Sequence, residues 1–163
     1  MYRIIFYIFL FFVFTGCATQ STFTNQNINN NYMQLTSKDF SDHTYLSSEF
    51  TCDGENKRPQ LAWSQVPTAT KSLALAMFDP DAPGDGFLHW LVVNLPPQDL
   101  SLASSDNLPS PAMQIKNDAG KFEYFGPCPP QGVHRYQFTL YALDVPSINP
   151  TDYQDFCSRL MDI

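Results

Sequence analysis

Proline sets the first limit on what this chain can become. All thirteen prolines fall between positions 59 and 150, and none interrupts the apolar runs at 72–78, 87–95 and 136–143. A proline inside a helix costs roughly 3 kcal/mol, so an all-helical bundle is disfavoured and strands joined by loops are expected. The run SLALAMF at 72–78 is apolar on both alternating faces, as in a strand covered on both sides. FLHWLVVNL at 87–95 and YQFTLYAL at 136–143 are rich in the aromatic and branched residues that suit strands. The separators are turn formers: DPDAPGDG at 79–86, then Pro96-Pro97, then GPCPPQG at 126–132. Only the last stretch reads as helix. Asn149-Pro150-Thr151-Asp152 can start one, and Tyr153, Phe156, Cys157, Leu160 and Met161 follow at helical spacing. The body is therefore expected to be mainly β and antiparallel, with a small C-terminal helix.

The N-terminus carries a different signal. Met1-Tyr2-Arg3 is a short basic start, followed by eleven apolar residues at 4–14 and then Thr15-Gly16-Cys17. Eleven helical residues at 1.5 Å rise span about half a bilayer core, too short for an ordinary transmembrane helix. The order of basic start, apolar run and small-residue exit is that of a secretory signal. The cysteine after Gly16 makes it resemble a bacterial lipoprotein signal, which implies acylation of Cys17 and an exported, membrane-anchored protein on the periplasmic side. Phe14 departs from the aliphatic residue usual three positions before that cysteine. The competing reading is a short, uncleaved, membrane-embedded helix. Residues 17–31 are polar and rich in Asn, Thr and Gln, and read as a tether. The folded domain is expected over 32–163.

Nine Lys and Arg against sixteen Asp and Glu give a net charge of -7, with no basic cluster. A nucleic-acid binder, whose affinity depends on neutralising phosphates, is thereby disfavoured. With Cys17 acylated, Cys52, Cys128 and Cys157 remain, an odd number that allows one disulfide and a leftover thiol, or three thiols. No C-x-x-C spacing supports a redox or zinc-knuckle reading.

Three polar segments bound the apolar strands. Asp79-Pro80-Asp81-Ala82-Pro83 leaves the end of a strand, and by itself is explained as a proline-rigid turn. His89, on alternation, shares a face with Phe87, Leu91 and Val93 and points inward, where a lone histidine is ordinarily a satisfied core residue. The third segment, 126–136, is more telling. Its three prolines freeze a loop, Gly126 permits close approach of backbone, and His134, Tyr136, Phe138, Leu140 and Ala142 then share one strand face. That face is polar at its mouth and apolar further in, as a partly buried pocket requires. Two imidazoles, a phenol and a carboxylate could hold a small anion there, with Asp79 orienting one imidazole. A grouping of His89, His134 and Asp79 as metal ligands uses the right residue types but lacks a short ligand spacing. No nucleophile-elbow motif supports a hydrolytic triad.

D-P-D-A-P, H-W-L-V-V-N and G-P-C-P-P-x-G-x-H-R-Y-x-F-x-L-Y-A-L together resemble the phosphatidylethanolamine-binding protein family, also called Raf kinase inhibitor-like, in its bacterial branch. The resemblance runs from FTCDG near Phe50 to Asp144. It implies a large central antiparallel sheet packed on a smaller one, with a shallow anion pocket at one end. Carried over residue by residue, Asp79, Ala82, Pro83, His89, Gly126, Pro129, His134 and Tyr136 would line that pocket. Cys52 and Cys128 lie within family motifs bounding the pocket loops, which implies that they pair if the compartment is oxidising; two buried thiols are the other state. The implied function is a non-enzymatic module recognising a phosphate-like group or phospholipid headgroup, without cofactor or metal. The alternative is an inhibitor-type module whose pocket rim contacts a kinase or protease. Arg58 stands where bacterial relatives carry a small hydroxyl residue, which implies a changed ligand preference. The chain ends at Ile163 as its helix begins, so the family's closing Gly-Tyr segment has no counterpart and weak ligand closure is expected.

Overall fold

The computed structural model describes residues 2–9 and 32–161. In chain order, the strands are β1 (Tyr2–Phe9), β2 (Gln34–Thr36), β3 (Leu61–Ser64), β4 (Ser72–Asp79), β5 (Phe87–Leu95), β6 (Leu100–Leu102), β7 (Met113–Ile115) and β8 (His134–Leu143). An α-helix, α1 (Tyr153–Leu160), follows them. The central sheet runs β1-β8-β4-β5-β7, and a second sheet runs β2-β3-β6. All pairings are antiparallel except that of β1 with β8.

β4 explains the layering. Leu73, Leu75 and Met77 point to one side and join Leu35, Leu61, Trp63 and Leu102 of the smaller sheet in one buried cluster. Ala74 and Ala76 point to the other side, into a cluster with Tyr141, Phe156 and Leu160. Alanines there leave room for the helix to lie close. The doubly apolar run is thus a strand covered by a sheet on one face and a helix on the other. Asp152 caps α1 by accepting from the Asp155 N–H, and the amphipathic stripe seats Phe156 and Leu160.

β5 departs from simple alternation. Its pairing with β4 passes from Met77↔Trp90 to Phe78↔Leu88, so two residues, His89 and Trp90, stand where the partner strand advances by one. This β-bulge reverses the phase of the strand. Leu91 and Val93 consequently face α1, whereas Trp90 and Val92 face the smaller sheet. The expectation that His89 shares a face with Leu91 and Val93 is therefore corrected. It turns instead toward Phe87 and Tyr136, with ring centroids 4.8 and 5.2 Å away.

Tyr2–Phe9, part of the segment read as an export signal, is an extended edge strand here rather than the helix of the competing reading. Residues 10–31, including Gly16-Cys17 and the polar tether, lie outside the described residues. Among the described residues, no helix is long and apolar enough to cross a membrane.

Candidate functional site

At one end of the central sheet, the 79–83 turn, the bulged start of β5, the 125–130 loop and the first residues of β8 enclose a cavity of about 360 Å³. Asp79, His89, His134 and Tyr136 form its polar part, and Ala82, Pro83 and Pro129 contribute to its walls. Phe87, Phe125, Cys128 and Pro130 also line it. Sequence reasoning named Cys128 only as a disulfide cysteine and did not place Phe87, Phe125 or Pro130 in the pocket, although Phe125 and Pro130 adjoin Gly126 and Pro129, which it did. Gly126 is not among the lining residues. A Cβ there would meet the Phe50 carbonyl at 2.5 Å and Asn56 Oδ1 at 2.6 Å. The close approach that demands glycine is thus made by the 50–56 backbone.

Two devices hold the rim. The Gly126 N–H donates to Asn56 Oδ1 at 2.7 Å, and the Cys52 N–H donates to the Pro127 carbonyl at 3.1 Å. Beside them Cys52 and Cys128 are joined by a disulfide with Cα atoms 5.4 Å apart. On the opposite rim, Arg135 grips Asp81 with two side-chain nitrogens, Nη2 at 2.6 Å and Nε at 2.9 Å, while its backbone N–H adds a third bond at 2.7 Å. The guanidinium holds the Asp81 carboxyl down at about 2. This fork commits Arg135 to tying the turn to β8.

The two imidazoles are oriented differently. Asp79, only 2% exposed, places Oδ2 at 2.7 Å from His134 Nδ1 and accepts the Asp81 N–H through Oδ1 at 2.9 Å. His89 Nδ1 lies 2.7 Å from the Phe125 carbonyl, which can only accept, so Nδ1 carries the proton. Nε2 is then the nitrogen each ring leaves for a ligand. Burial lowers the His89 pKa below the ordinary imidazole value of 6.5, opposed in part by the bond to Phe125. His89 is therefore neutral at neutral pH and offers an acceptor.

That lowered pKa has a consequence for stability. Below pH 6.5 the unfolded chain binds a proton at His89 that the folded chain still refuses. The folded state loses stability as pH falls through that window and retains it above. Urea midpoints measured from pH 7 down to pH 5 should therefore decline, with a shallower decline in His89→Gln. Identical slopes for the two proteins would contradict the assignment.

Arg58 lies elsewhere than the ligand-preference expectation placed it. Its guanidinium donates to the carbonyls of Ala103 at 2.5 Å and Asp106 at 2.9 Å and lies over the Trp90 ring at 5.4 Å. It fastens a loop and is not among the residues lining the pocket. The metal grouping fails as well: among the described residues, no three His, Cys, Asp or Glu side chains are placed to hold an ion. Cys157 remains a free, half-buried thiol on α1.

The profile of the phosphatidylethanolamine-binding protein family matches residues 36–160. The chain belongs to this family. It is 47% identical over 116 residues to a UPF0098 protein of Methanothermobacter thermautotrophicus, an alignment covering 69% of this chain and 77% of that protein. LppC of Mycobacterium tuberculosis, which carries a lipoprotein name, is 39% identical over 69% of this chain and 56% of its own length. Among solved structures, Escherichia coli YbcL, described as a new member of the mammalian family, superposes with a TM-score of 0.73 at 34% identity. That match covers 78% of this chain and 88% of YbcL. A family homologue from Chlamydia trachomatis, CT736, gives 0.72 at 36% identity, covering 79% and 88%. The expected fold is therefore the observed one: mainly β, a large sheet on a smaller one, with a short C-terminal helix.

Proposed function

We propose that this protein is a non-enzymatic binding module whose pocket takes a small anion that also carries a hydrogen-bond donor, such as a monoprotonated phosphate ester or an ethanolamine phosphate headgroup. The observation that carries this reading is the unequal pair of imidazoles. His134, with Nδ1 held by Asp79, donates through Nε2 when protonated and supplies positive charge. Neutral His89 supplies an acceptor beside it. No lysine or arginine is among the lining residues, so charge for an anion comes from imidazole alone. Phe87, Phe125 and the prolines suit an apolar group attached to the anion.

Calorimetric titration with phosphoethanolamine tests this. The His134→Gln variant keeps an amide donor toward Asp79 but cannot become a cation, and its affinity should fall at least tenfold. Equal affinity in the two proteins sinks the reading. Saturable binding without any protein partner also separates it from the inhibitor-type alternative.

Export and anchoring through acylated Cys17 belong to the same proposal, supported by the sequence of residues 1–17 and by the lipoprotein name of one relative. One acyl chain contributes roughly 0.8 kcal/mol per buried CH₂ and anchors only marginally, so more than one is needed. Labelled palmitate should enter the protein and be absent from Cys17→Ser; label persisting in that variant overturns the assignment.

A further inference from the structure

β8 carries two of the pocket's polar residues, and its two sides are paired unequally. On the inner side the ladder with β4 runs from Ser72↔Leu143 to Phe78↔Gln137 and stops there. On the outer side β1 pairs in parallel over eight consecutive positions, from Tyr2↔His134 to Phe9↔Tyr141. Positions 134–136 therefore sit in a strand ladder only through β1, at Tyr2↔His134, Arg3↔Arg135 and Ile4↔Tyr136. The pocket end of β8 is thus paired with the N-terminal segment on its outer side, while His134 and Arg135 are bonded to Asp79 and Asp81 on the other.

That segment is unlike the other strands of the sheet. Its sequence is a basic start running into an uninterrupted apolar stretch, the pattern that membranes and translocation machinery draw away. Without β1, an eight-residue run containing two tyrosines and a phenylalanine becomes a sheet edge with unpaired N–H and C=O groups. Such an edge is a template for another extended segment.

We propose that the outer edge of β8 is an exchangeable strand-docking site, that its occupant is Tyr2–Phe9 of the same chain, and that docking adds a second hold on the pocket end of β8 beside its bonds to Asp79 and Asp81. Before the N-terminal segment is drawn off, residues 134–136 are a paired strand. Afterwards their outer side is an open edge, while the bonds of His134 to Asp79 and of Arg135 to Asp81 remain. Processing of the N-terminus thereby changes the rigidity of the pocket. This inference concerns backbone pairing and stands whether or not the pocket takes an anion.

Amide hydrogen exchange at residue resolution tests it on the full chain, made by cell-free synthesis without membranes so that the N-terminus stays intact. In the unaltered chain, the amides of residues 134–141 that face β1 should be protected. The comparison is Ile4→Pro/Ile5→Pro. Successive N–H groups point to opposite sides of a strand, so one of the two prolines removes a donor toward β8 whatever the phase. Exchange at the outward amides of 134–141 should rise at least tenfold, with β4 and β5 unchanged. A synthetic peptide of residues 2–9, added to the variant at about millimolar concentration, should restore the protection. Equal exchange in the two proteins overturns docking, and failure of the peptide to protect overturns exchange. Should the double variant also lose protection in β4 and β5, photo-crosslinking from benzoylphenylalanine at position 7 of the otherwise unaltered chain decides. Products at 137–141, around the register partner Thr139, uphold the proposal, and products elsewhere overturn it.

Discussion

His134→Ala should destabilise the protein by about 3 kcal/mol or more at pH 7, a large loss for a change at the mouth of a pocket. Asp79 is almost completely buried, and His134 lies 2.7 Å from one of its oxygens. Removing the imidazole leaves a carboxylate in an apolar surrounding with the Asp81 N–H at its other oxygen. Breaking a buried pair from one side costs far more than the pair contributes, because the remaining charge has lost its water and its partner. Asp79→Ala should cost less, since the group left behind can stay a neutral imidazole. The double variant should lose clearly less than the sum of the two, a coupling measurable by urea denaturation. Additive losses, each below about 1 kcal/mol, would contradict a coupled buried pair.

The second large effect lies on the opposite rim. The Cys52–Cys128 bridge spans a sequence separation of 76 residues. On chain-entropy grounds, a loop of that length contributes on the order of 4 kcal/mol by restricting the unfolded chain. Cys52→Ser/Cys128→Ser should therefore lower the melting temperature by roughly 10 °C or more. Cys128 also lines the cavity, and the bond from Cys52 N–H to Pro127 binds the same two loops. The variant should consequently bind phosphoethanolamine more weakly even where it is fully folded. A loss of stability below about 1 kcal/mol would show that backbone bonds between the loops suffice without the bridge.

How far these features could be read from residues alone follows from the kind of signal each leaves. β4, β5, β8 and α1 have long runs of clear periodicity bounded by proline and glycine, and they stand where the pattern puts them. β2, β6 and β7 are three residues each, too short to show any period, and become strands only because neighbours supply the ladder. The inward face of β8 was legible, since Tyr136, Phe138 and Leu140 alternate without interruption. The residues sharing a face with His89 were not, because a bulge adds one residue and inverts every assignment beyond it. Leu91 and Val93 thus moved to the helix face while His89 kept its place at the pocket. Gly126 was correctly singled out as a position of close approach, but one sequence cannot say that Phe50 and Asn56, not a ligand, make that approach. Arg58 was misread for a similar reason: a charge at a motif position suggests chemistry, whereas the carbonyls of Ala103 and Asp106 that absorb it lie more than forty residues away. The docking of Tyr2–Phe9 on β8 left no local trace, because an apolar run reads the same whether a membrane or a sheet edge receives it.

The central claim is that Asp79, His89, His134 and Tyr136 act together as an anion site governed by imidazole charge. Nuclear magnetic resonance of the folded, labelled protein during titration with phosphoethanolamine, repeated on His134→Gln, tests it most directly. The account predicts saturable shifts at His89, His134 and Tyr136 with a common dissociation constant, weakened at least tenfold in His134→Gln. Shifts that fail to saturate, that saturate while these three residues stay unmoved, or that are as tight in His134→Gln, would contradict it.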